Sequence, residues 1–339
     1  MKQFNLYFDV KFKDGGDSLI IKTYSTTYYL EALNGLIQRL SLSNPKRQEL
    51  ENEYMRIKAG DIGEKVVIEA LEQLKLPYDF YVFHNLSLLL ESKIQIDVLI
   101  LTASYITIFE VKNIKGAIEL RQNPSQLVRT LSNGEVHAFN SPEPQLQEYV
   151  HQLKRFFINQ NMNIPIYGAI IFPFTTSFIQ QTSNKTTILL KNEIKPFLRN
   201  MPTNTECLSN NELEYWKSYF MRKHKEFNPY PLINRYKISG ETILKGVICS
   251  QCGKIGMQRI AFYWFCSNCF YKSTNAHESA IYDYLKIVNN TITNMECREF
   301  LRIKDIYQAS RMLKNMNLKK SGTYKNAKYM LPEEDTSNS

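Results

Sequence analysis

The chain reads QIDVLIL over residues 95–101 and ITIFEVK over residues 106–112. Beyond its first residues the earlier segment is apolar on both faces, which is the pattern of a strand buried inside a sheet. Gln95 and Asp97 are therefore polar groups at the mouth of a buried strand. We predict that the two segments form adjacent buried strands, and we interpret Asp97 as an acid retained there for its chemistry.

The second segment ends in an acid and a base. Period-two alternation places Glu110 and Lys112 on the same face as Ile106 and Ile108. An isolated Glu-x-Lys pair is more commonly a solvated ion pair at a strand end, so these two residues alone do not indicate a site. Together with the acid on the preceding segment, they indicate a cluster of charges at the ends of two strands.

A predicted helix upstream supplies a third acid. Residues 60–64 read GDIGE, and Glu64 shares a helical face with Val67, Ile68, Leu71 and Leu74. We predict a helix from Gly60 to about Leu74 with Glu64 facing inward. As an alternative, Asp61 and Glu64 have the spacing of a helix N-cap pair.

If these elements pack together, three carboxylates converge on one divalent cation. Mg²⁺ (or Mn²⁺) prefers oxygen ligands and retains waters for substrate phosphate. Hydrolysis of a phosphodiester requires a metal to activate water and to bind the charge that develops on phosphorus, with a cation nearby. Asp97 and Glu110 are the candidate metal ligands, and Lys112 is the candidate cation.

The order and spacing of these motifs resemble the nuclease-related domain (NERD) family, which is placed within the PD-(D/E)xK nuclease-like superfamily. The resemblance covers about residues 59–159. One departure is that Ser141 separates Asn140 from Pro142, where the family pattern has an asparagine-proline pair. The segments that carry the resemblance are Gly60-x-x-Gly63-Glu64, Gln95-Ile96-Asp97, Glu110-Val111-Lys112-Asn113 with Gly116, and Asn140-Ser141-Pro142-x-x-Gln145.

The resemblance implies an α/β (α+β) fold, with a restriction-endonuclease-like core built on a mixed sheet. It implies that Asp97, Glu110 and Lys112 correspond to the D…ExK signature, Glu64 to the helical acid, and Gln145 to a polar residue of the following helix. The catalytic residues expected on these grounds are Glu64, Gln95, Asp97, Glu110, Lys112 and Gln145. His84 and His151 lie near these elements and are interpreted as structural histidines.

Two Cys-x-x-Cys pairs predict a zinc ribbon. Cys249 and Cys252 are separated from Cys266 and Cys269 by a spacing typical of a four-thiolate site. Four thiolates leave no position for substrate, so the zinc is expected to be structural. Such modules bind nucleic acid, bind protein or brace a domain, and the sequence does not decide among these roles. Cys207 and Cys297 are interpreted as buried structural thiols.

The C-terminal segment is basic and resembles a small winged helix-turn-helix. Helices are predicted at about residues 278–289, 297–301 and 306–316, followed by a wing that turns at Gly322. The alternative is a basic helical appendage that contacts protein. The expected partner is nucleic acid, and DNA in the leading hypothesis. The residues expected to contact it are Arg311, Lys314, Lys319, Lys320 and Lys325.

Composition is consistent with a folded chain of several domains. The 339 residues are 43% hydrophobic and carry a formal net charge of +9, which favours polyanionic partners without naming one. The N-terminus lacks a secretory signal pattern and no stretch is apolar enough to span a membrane, so a cytoplasmic location is expected. A hairpin around Gly15 and Gly16 and helices at about 30–40 and 48–58 are predicted, without a function.

The expected domain organisation follows from these segments. We predict an N-terminal extension (1–58), a nuclease-like domain (59–222), a linker (223–244), a zinc ribbon (245–274), a helical or winged-helix-like module (275–331) and a tail (332–339). The leading hypothesis is a Mg²⁺-dependent DNA endonuclease or nickase. The alternatives are a non-catalytic DNA-binding or regulatory protein that uses the nuclease fold as a platform, and a protein-interaction scaffold.

Overall fold

The computed structural model describes residues 19–22, 28–175, 177–181, 186–225 and 227–332. These residues form two compact units. The first unit takes its described residues from 19–22 and 58–225, and the second takes them from 28–57 and 227–332. The predicted hairpin around Gly15 and Gly16 and most of the predicted tail lie outside the described residues.

The first part of the chain contains the elements β1 (Leu19–Lys22), α1 (Tyr28–Gln38), α2 (Arg47–Glu72), β2 (Phe80–Leu89), β3 (Lys93–Thr102), β4 (Ile106–Val111), β5 (Gly116–Arg121), β6 (Gln126–Thr130), β7 (Val136–Asn140), α3 (Pro142–Asn159), β8 (Ile166–Phe172), β9 (Ser177–Gln181), β10 (Thr187–Leu190), α4 (Ile194–Arg199) and α5 (Asn210–Lys223). The remainder contains α6 (Leu232–Tyr236), β11 (Val247–Ile248), β12 (Ile255–Ile260), β13 (Tyr263–Phe265), β14 (Lys272–Ser273), α7 (Ala276–Asp283), β15 (Thr291–Thr293), α8 (Asn294–Leu301), α9 (Ile306–Asn315), β16 (Lys319–Ser321) and β17 (Lys328–Met330).

The first unit is built on a mixed sheet with strand order β1-β2-β3-β4-β8-β10. The strands β2, β3 and β4 are antiparallel neighbours, whereas β8 and β10 continue the sheet in parallel. Apolar residues of α2 and α4 cover one face, and those of α3 and α5 cover the other. The order α2-β2-β3-β4-α3-β8 and the mixed sheet confirm the predicted α/β class and the adjacent buried strands.

A second sheet follows β4 in this unit, with strand order β7-β6-β5-β9. The meander β5-β6-β7 is antiparallel, and β9 pairs with β5 in parallel. Gly116 begins β5 with a φ of +113°, and a Cβ atom there would lie 2.6 Å from the Thr130 carbonyl oxygen. Because other residue types rarely adopt this conformation, glycine is required at the point where the chain leaves β4 for the second sheet.

The predicted helix start at Gly60 is wrong. One continuous helix, α2, runs from Arg47 to Glu72 and replaces the two helices predicted on either side of residue 59. Asp61 and Glu64 therefore lie inside the helix, which excludes the N-cap alternative. The physical reason is that two glycines cost a helix only about 1 kcal/mol each relative to alanine, and the buried residues that follow, such as Val67 and Leu71, offset that cost.

The second unit has one apolar core that includes residues from both ends of the chain. Leu33, Leu36 and Leu50 of the N-terminal segment are buried in the same cluster as Trp264 and Leu313. Part of the predicted linker also enters this core, since Leu232, Tyr236, Ile238 and Ile243 are buried there. The prolines that suggested a linker lie just before α6, where Pro231 is the N-cap residue.

The C-terminal part of this unit has the order of a winged helix. After α7 and a π-helical turn (284–288) come β15, α8, α9, β16 and β17, and the three strands form a sheet with order β15-β17-β16. Thr293 caps α8 with a capping box to Glu296, and Asp305 caps α9. Gly322, with a φ of +75°, lies between β16 and β17, as expected for the turn of a wing.

A buried ion pair fixes the N-terminal segment within the second unit. Arg39 is 0% exposed, and its Nε atom donates to Oδ2 of Asp283 at 2.9 Å. Its Nη1 atom donates to the carbonyl oxygens of Leu244 and Gly246, both at 3.0 Å. The guanidinium also lies 4.6 Å from the ring centroid of Phe300. One side chain therefore satisfies acceptors from two separate segments of the unit and packs on a ring from a third.

We predict that Arg39→Met destabilises the second unit by about 3–5 kcal/mol, because it leaves the Asp283 carboxylate and two carbonyl groups buried without their donor. Differential scanning calorimetry measures the loss. The matched control is Lys46→Met, since Lys46 forms an exposed pair with Glu49 that contributes at most about 1 kcal/mol. Equal small losses in both variants would contradict the prediction.

Candidate active site and metal centre

Asp97 lies at an irregularity shared by β2 and β3. Ile96 packs in the apolar cluster that contains α3, whereas Val98 packs in the cluster that contains α2. Regular alternation would place these two residues on the same face. Asn85, which stands between the residues paired with Ile96 and Val98, has a φ of +52°. The change of face therefore occurs at Asp97, on an inner strand of the sheet.

The pairing of β3 with β4 ends beside this irregularity. The last registered pair is Val98 with Phe109, and beyond it Oδ2 of Asp97 accepts a hydrogen bond from the Val111 N–H at 2.8 Å. The Asp97 carboxylate thus accepts a hydrogen bond from a backbone N–H that lies beyond the last registered pair of β3 and β4. This hydrogen bond holds Asp97 next to Glu110, which is the residue before Val111.

Glu110 is buried and has two partners. Its Oε1 atom lies 2.5 Å from Nζ of Lys112, and its Oε2 atom accepts from Nε2 of Gln145 at 3.3 Å. The same amide nitrogen lies 3.3 Å from the Tyr149 hydroxyl, one turn further along α3. The structure therefore brings Gln145 to Glu110.

Glu64 reaches the site from α2 and contacts a buried histidine. Its Oε2 atom lies 2.7 Å from Nε2 of His84, whose side chain is 2% exposed. The sequence analysis assigned His84 only a structural role. No sequence signal singled it out, since a histidine among apolar residues of a strand is the usual pattern of a buried core position.

The charged side chains of the site shift the pKa values of Asp97 and Lys112. Burial, followed by the neighbouring carboxylates of Glu110 and Glu64, raises the pKa of Asp97 well above its ordinary value. The Lys112 ammonium and the Val111 N–H oppose this rise. Burial alone would lower the pKa of Lys112, but Glu110, Asp97 and Glu64 outweigh it and raise that pKa. The site is therefore a crowded group of acids with one cation among them.

A glycine lets α2 approach the ends of the strands. A Cβ atom on Gly63 would lie 2.8 Å from Cβ of Asn113 and 3.3 Å from Cγ of Pro173. The Asn113 side chain also donates to the Ala59 carbonyl oxygen at 2.7 Å. These contacts lock the helix beside the residues that follow β4, so the glycine of the Gly-x-x-Gly-Glu motif is needed for packing next to Glu64.

Three other residues are placed differently from the acids. Gln95 is exposed and donates to Oδ1 of Asn85 at 2.7 Å, so it lies at the outer end of β3 and not among the buried carboxylates. His151 is exposed on α3. Ser141, the departure from the family pattern, is the N-cap of α3, and its hydroxyl accepts from the Glu143 N–H.

The four predicted zinc ligands come together in the ribbon. Their sulfur atoms lie within 4.8 Å of one another, with Sγ–Sγ distances of 3.6 Å for Cys249–Cys269 and for Cys252–Cys266. A tetrahedral site with Zn–S bonds of about 2.3 Å has edges of about 3.8 Å, so the quartet fits zinc. Among the described residues it is the only group of three or more acidic, histidine or cysteine ligands this close together.

Two matched turns present the cysteines. Gly253 donates to the Cys249 carbonyl oxygen at 2.8 Å, and Phe270 donates to the Cys266 carbonyl oxygen at 2.9 Å. Both residues have positive φ, +72° for Gly253 and +60° for Phe270. The first turn uses glycine, whereas the second places a phenylalanine in the left-handed region that non-glycine residues seldom adopt. Cys207 and Cys297 lie outside the quartet.

The predicted nucleic-acid contacts lie on an exposed surface of the winged-helix part. Tyr307, Arg311 and Lys314 are exposed on α9 with spacings of one helical turn. Lys319 and Lys320 are exposed on β16. Lys325 belongs to the wing, and its side chain lies outside the described part of the chain.

We predict that Cys252→Ser loses the zinc that the wild-type chain retains, because a hydroxyl cannot replace a thiolate ligand. Zinc content per chain after dialysis checks this result, and calorimetry should show a lower melting temperature of the second unit. The matched control is Cys207→Ser, which removes a cysteine outside the quartet. Stoichiometric zinc in both variants would show that the quartet does not hold the metal.

Comparison with known proteins agrees with the geometry of the first unit. Residues 59–173 match the family model described as the nuclease-related domain. No curated protein and no solved structure matches the chain. In the described part of the chain, no helix has the length and apolarity needed to cross a membrane. The matched range runs from the middle of α2 to the residue after β8 and contains Glu64, Asp97 and Glu110. Residues 59–173 of this chain are therefore a nuclease-related domain.

Proposed function

We propose that the protein hydrolyses phosphodiester bonds of DNA with the help of a divalent metal ion, as an endonuclease or nickase. The observation that carries the proposal is that Asp97, bound to the Val111 N–H, lies beside the Glu110–Lys112 pair where the pairing of β3 and β4 ends, with Glu64 adding to the charge that raises the pKa of Asp97. Carboxylates crowded in a partly buried place repel one another, and such an arrangement is typical of a site that binds a cation.

The donor set fits a hard divalent ion. Mg²⁺ is commonly held by one or two carboxylates and keeps several waters, so Asp97 and Glu110 suffice as protein ligands. The raised pKa of Asp97 supports this assignment, because a bound cation would relieve the repulsion that raises it. Mg²⁺ or Mn²⁺, when bound, would supply an activated water and neutralise charge on the phosphate.

The remaining residues have distinct proposed roles. Lys112 has its ammonium 2.5 Å from Oε1 of Glu110, where it can balance negative charge and contact a phosphate oxygen. Gln145 donates from its amide nitrogen to Oε2 of Glu110 and to the Tyr149 hydroxyl, and so positions the Glu110 carboxylate. Glu64 is held by His84 and adds negative charge to the site. Gln95 is assigned a contact with the substrate rather than with the metal, since it is exposed.

The second unit supports DNA as the substrate. The exposed face of α9 carries Tyr307, Arg311 and Lys314, and the wing carries Lys319 and Lys320. A winged helix that binds DNA places such a helix in the major groove and its wing on the backbone. The four zinc-binding thiolates persist in a reducing compartment, which supports a cytoplasmic location.

We predict that Glu110→Gln and Asp97→Asn each reduce cleavage at least about 100-fold. Each variant loses a negative charge that holds the metal, and the metal stabilises the negative charge that develops on phosphorus. Nicking of supercoiled plasmid and cleavage of single-stranded DNA with Mg²⁺ or Mn²⁺ measure the effect. DNA binding without metal should stay unchanged in both variants.

The matched control is Glu135→Gln, which removes an exposed glutamate from the turn before β7 in the same unit. Cleavage that persists in Glu110→Gln would place the activity elsewhere or in a contaminant. No cleavage by the wild-type protein, together with tight DNA binding, would favour the non-catalytic DNA-binding alternative.

We also predict that Asp97→Asn raises the melting temperature of the metal-free protein, because it removes one crowded carboxylate. The pKa of Asp97 is raised in the folded state, so ionisation destabilises the fold as pH rises above the ordinary value of about 4. The gain should therefore be larger at pH 8 than at pH 4. Adding about 10 mM Mg²⁺ should stabilise the wild type by a few degrees and the variant less.

Thermal unfolding with and without Mg²⁺ checks this prediction. The control is Asp79→Asn, an exposed aspartate in the same unit, whose removal should change neither the pH dependence nor the response to Mg²⁺. Equal responses of the wild type and Asp97→Asn to Mg²⁺ would contradict the assignment of Asp97 as a metal ligand.

A further inference from the structure

The zinc ribbon has one buried face and one exposed face. Residues directly opposite each other in antiparallel strands point to the same side of a sheet. Trp264 and Met257 lie on the side that enters the core of the second unit. The other side is defined by the registered pairs Ile260–Tyr263, Gln258–Phe265 and Phe265–Lys272. We call Gln258, Ile260, Tyr263, Phe265, Phe270 and Lys272 the ribbon face.

Aromatic side chains are exposed on and beside the ribbon face. Phe270 is 73% exposed, and its ring centroid lies 6.2 Å from that of Phe265. Phe262, at the turn between β12 and β13, is 85% exposed. Large apolar side chains gathered at one exposed place indicate an interaction site more often than scattered ones do. The zinc site does not explain why these aromatic rings are exposed, because the Phe270 side chain points away from the core of the second unit.

The charge of the ribbon indicates what kind of partner would bind. Residues 245–274 contain no aspartate or glutamate, and their basic residues are Lys245, Lys254, Arg259 and Lys272. Zn²⁺ held by four thiolates carries two negative charges, fewer than the four basic side chains. Lys245 pairs with Glu299 and Arg259 lies on the side of Trp264, so Lys272 is the cation of the ribbon face. Nζ of Lys272 lies 5.1 Å from the ring centroid of Tyr263, which places a cation directly beside an aromatic ring.

We propose that the ribbon face binds unpaired nucleotides, with bases stacked on Phe270, Phe265 and Tyr263 and the phosphate backbone contacted by Lys272. Aromatic rings can stack on a base only when its face is free, which excludes the paired interior of a duplex. A positive surface with several aromatic rings is the pattern of single-strand recognition without sequence preference. The inference deepens the proposed function by giving the second unit a preference for single-stranded or unwound nucleic acid.

Fluorescence anisotropy of the full chain without Mg²⁺ tests the proposal. The probes are a labelled oligothymidylate of about 20 nucleotides, longer than one stacking site requires, and a labelled duplex of the same length. Phe270→Ala should weaken oligothymidylate binding at least about fivefold, and the double variant Tyr263→Ala/Phe270→Ala should weaken it further. Duplex affinity should change less than twofold, which is about the scatter of such measurements.

Two further variants separate stacking from folding. Phe270→Tyr keeps the ring and should keep the affinity for oligothymidylate. Tyr215→Ala removes an aromatic ring from α5 that is 52% exposed, and it should leave both affinities unchanged. Zinc content per chain shows that each variant retains the folded ribbon. Among these three single variants, we expect only Phe270→Ala to lose affinity for oligothymidylate, and we expect it to keep its full zinc content.

Unchanged oligothymidylate affinity in a double variant that retains zinc would overturn the proposal and leave a protein partner as the occupant of the face. An equal loss of duplex affinity would also overturn it, because the face would then act on the backbone alone. Both affinities are measured without Mg²⁺ and so do not depend on hydrolysis. Failure of cleavage therefore leaves this test intact, and failure of this test leaves the proposed hydrolysis intact.

Discussion

The constraint on which the first unit depends is the crowding of three carboxylates at the point where β3 and β4 separate. Charged groups that share a partly buried place destabilise the fold unless a cation or hydrogen-bond donors compensate them. Here Lys112, the Val111 N–H, Gln145 and His84 provide that compensation. Both faces of the surrounding sheet are apolar, and burial of these residues offsets the free energy that the charged site costs the fold.

Three local irregularities of this unit lie next to that site. The change of face at Asp97, the left-handed conformation of Asn85 and the close approach at Gly63 occur where α2, β2, β3 and β4 meet. Strain and packing exceptions that gather at one place are characteristic of functional sites. Asp97 is the residue that would stand opposite Glu110 if the antiparallel register of β3 and β4 continued, and its carboxylate instead accepts from the Val111 N–H.

The second unit depends on a different kind of constraint. The ribbon has short strands and little core of its own, and a metal ion held by its four clustered cysteines would contribute directly to its folding. The Arg39–Asp283 pair and the apolar residues of α1 join the N-terminal segment to the ribbon and the winged-helix part. The exposed surfaces that remain are basic on α9 and aromatic on the ribbon face. Both fit a nucleic acid, the first through phosphates and grooves and the second through unpaired bases.

The sequence by itself determined the type of fold, the acids and the zinc ligands. Buried strands show as apolar runs, and Cys-x-x-Cys pairs fix their own geometry through the metal, so both are local signals. Tertiary structure decided what local patterns do not contain. Glycines at 60 and 63 suggested a helix start, yet packing of the following residues carries α2 through them, and one of them proves to be the contact point with Asn113. The partner of Glu64, the burial of Arg39 and the exposed side of the ribbon each depend on residues distant in sequence. Such contacts arise from the way the chain packs, because no periodicity within a segment records which other segment will lie against it.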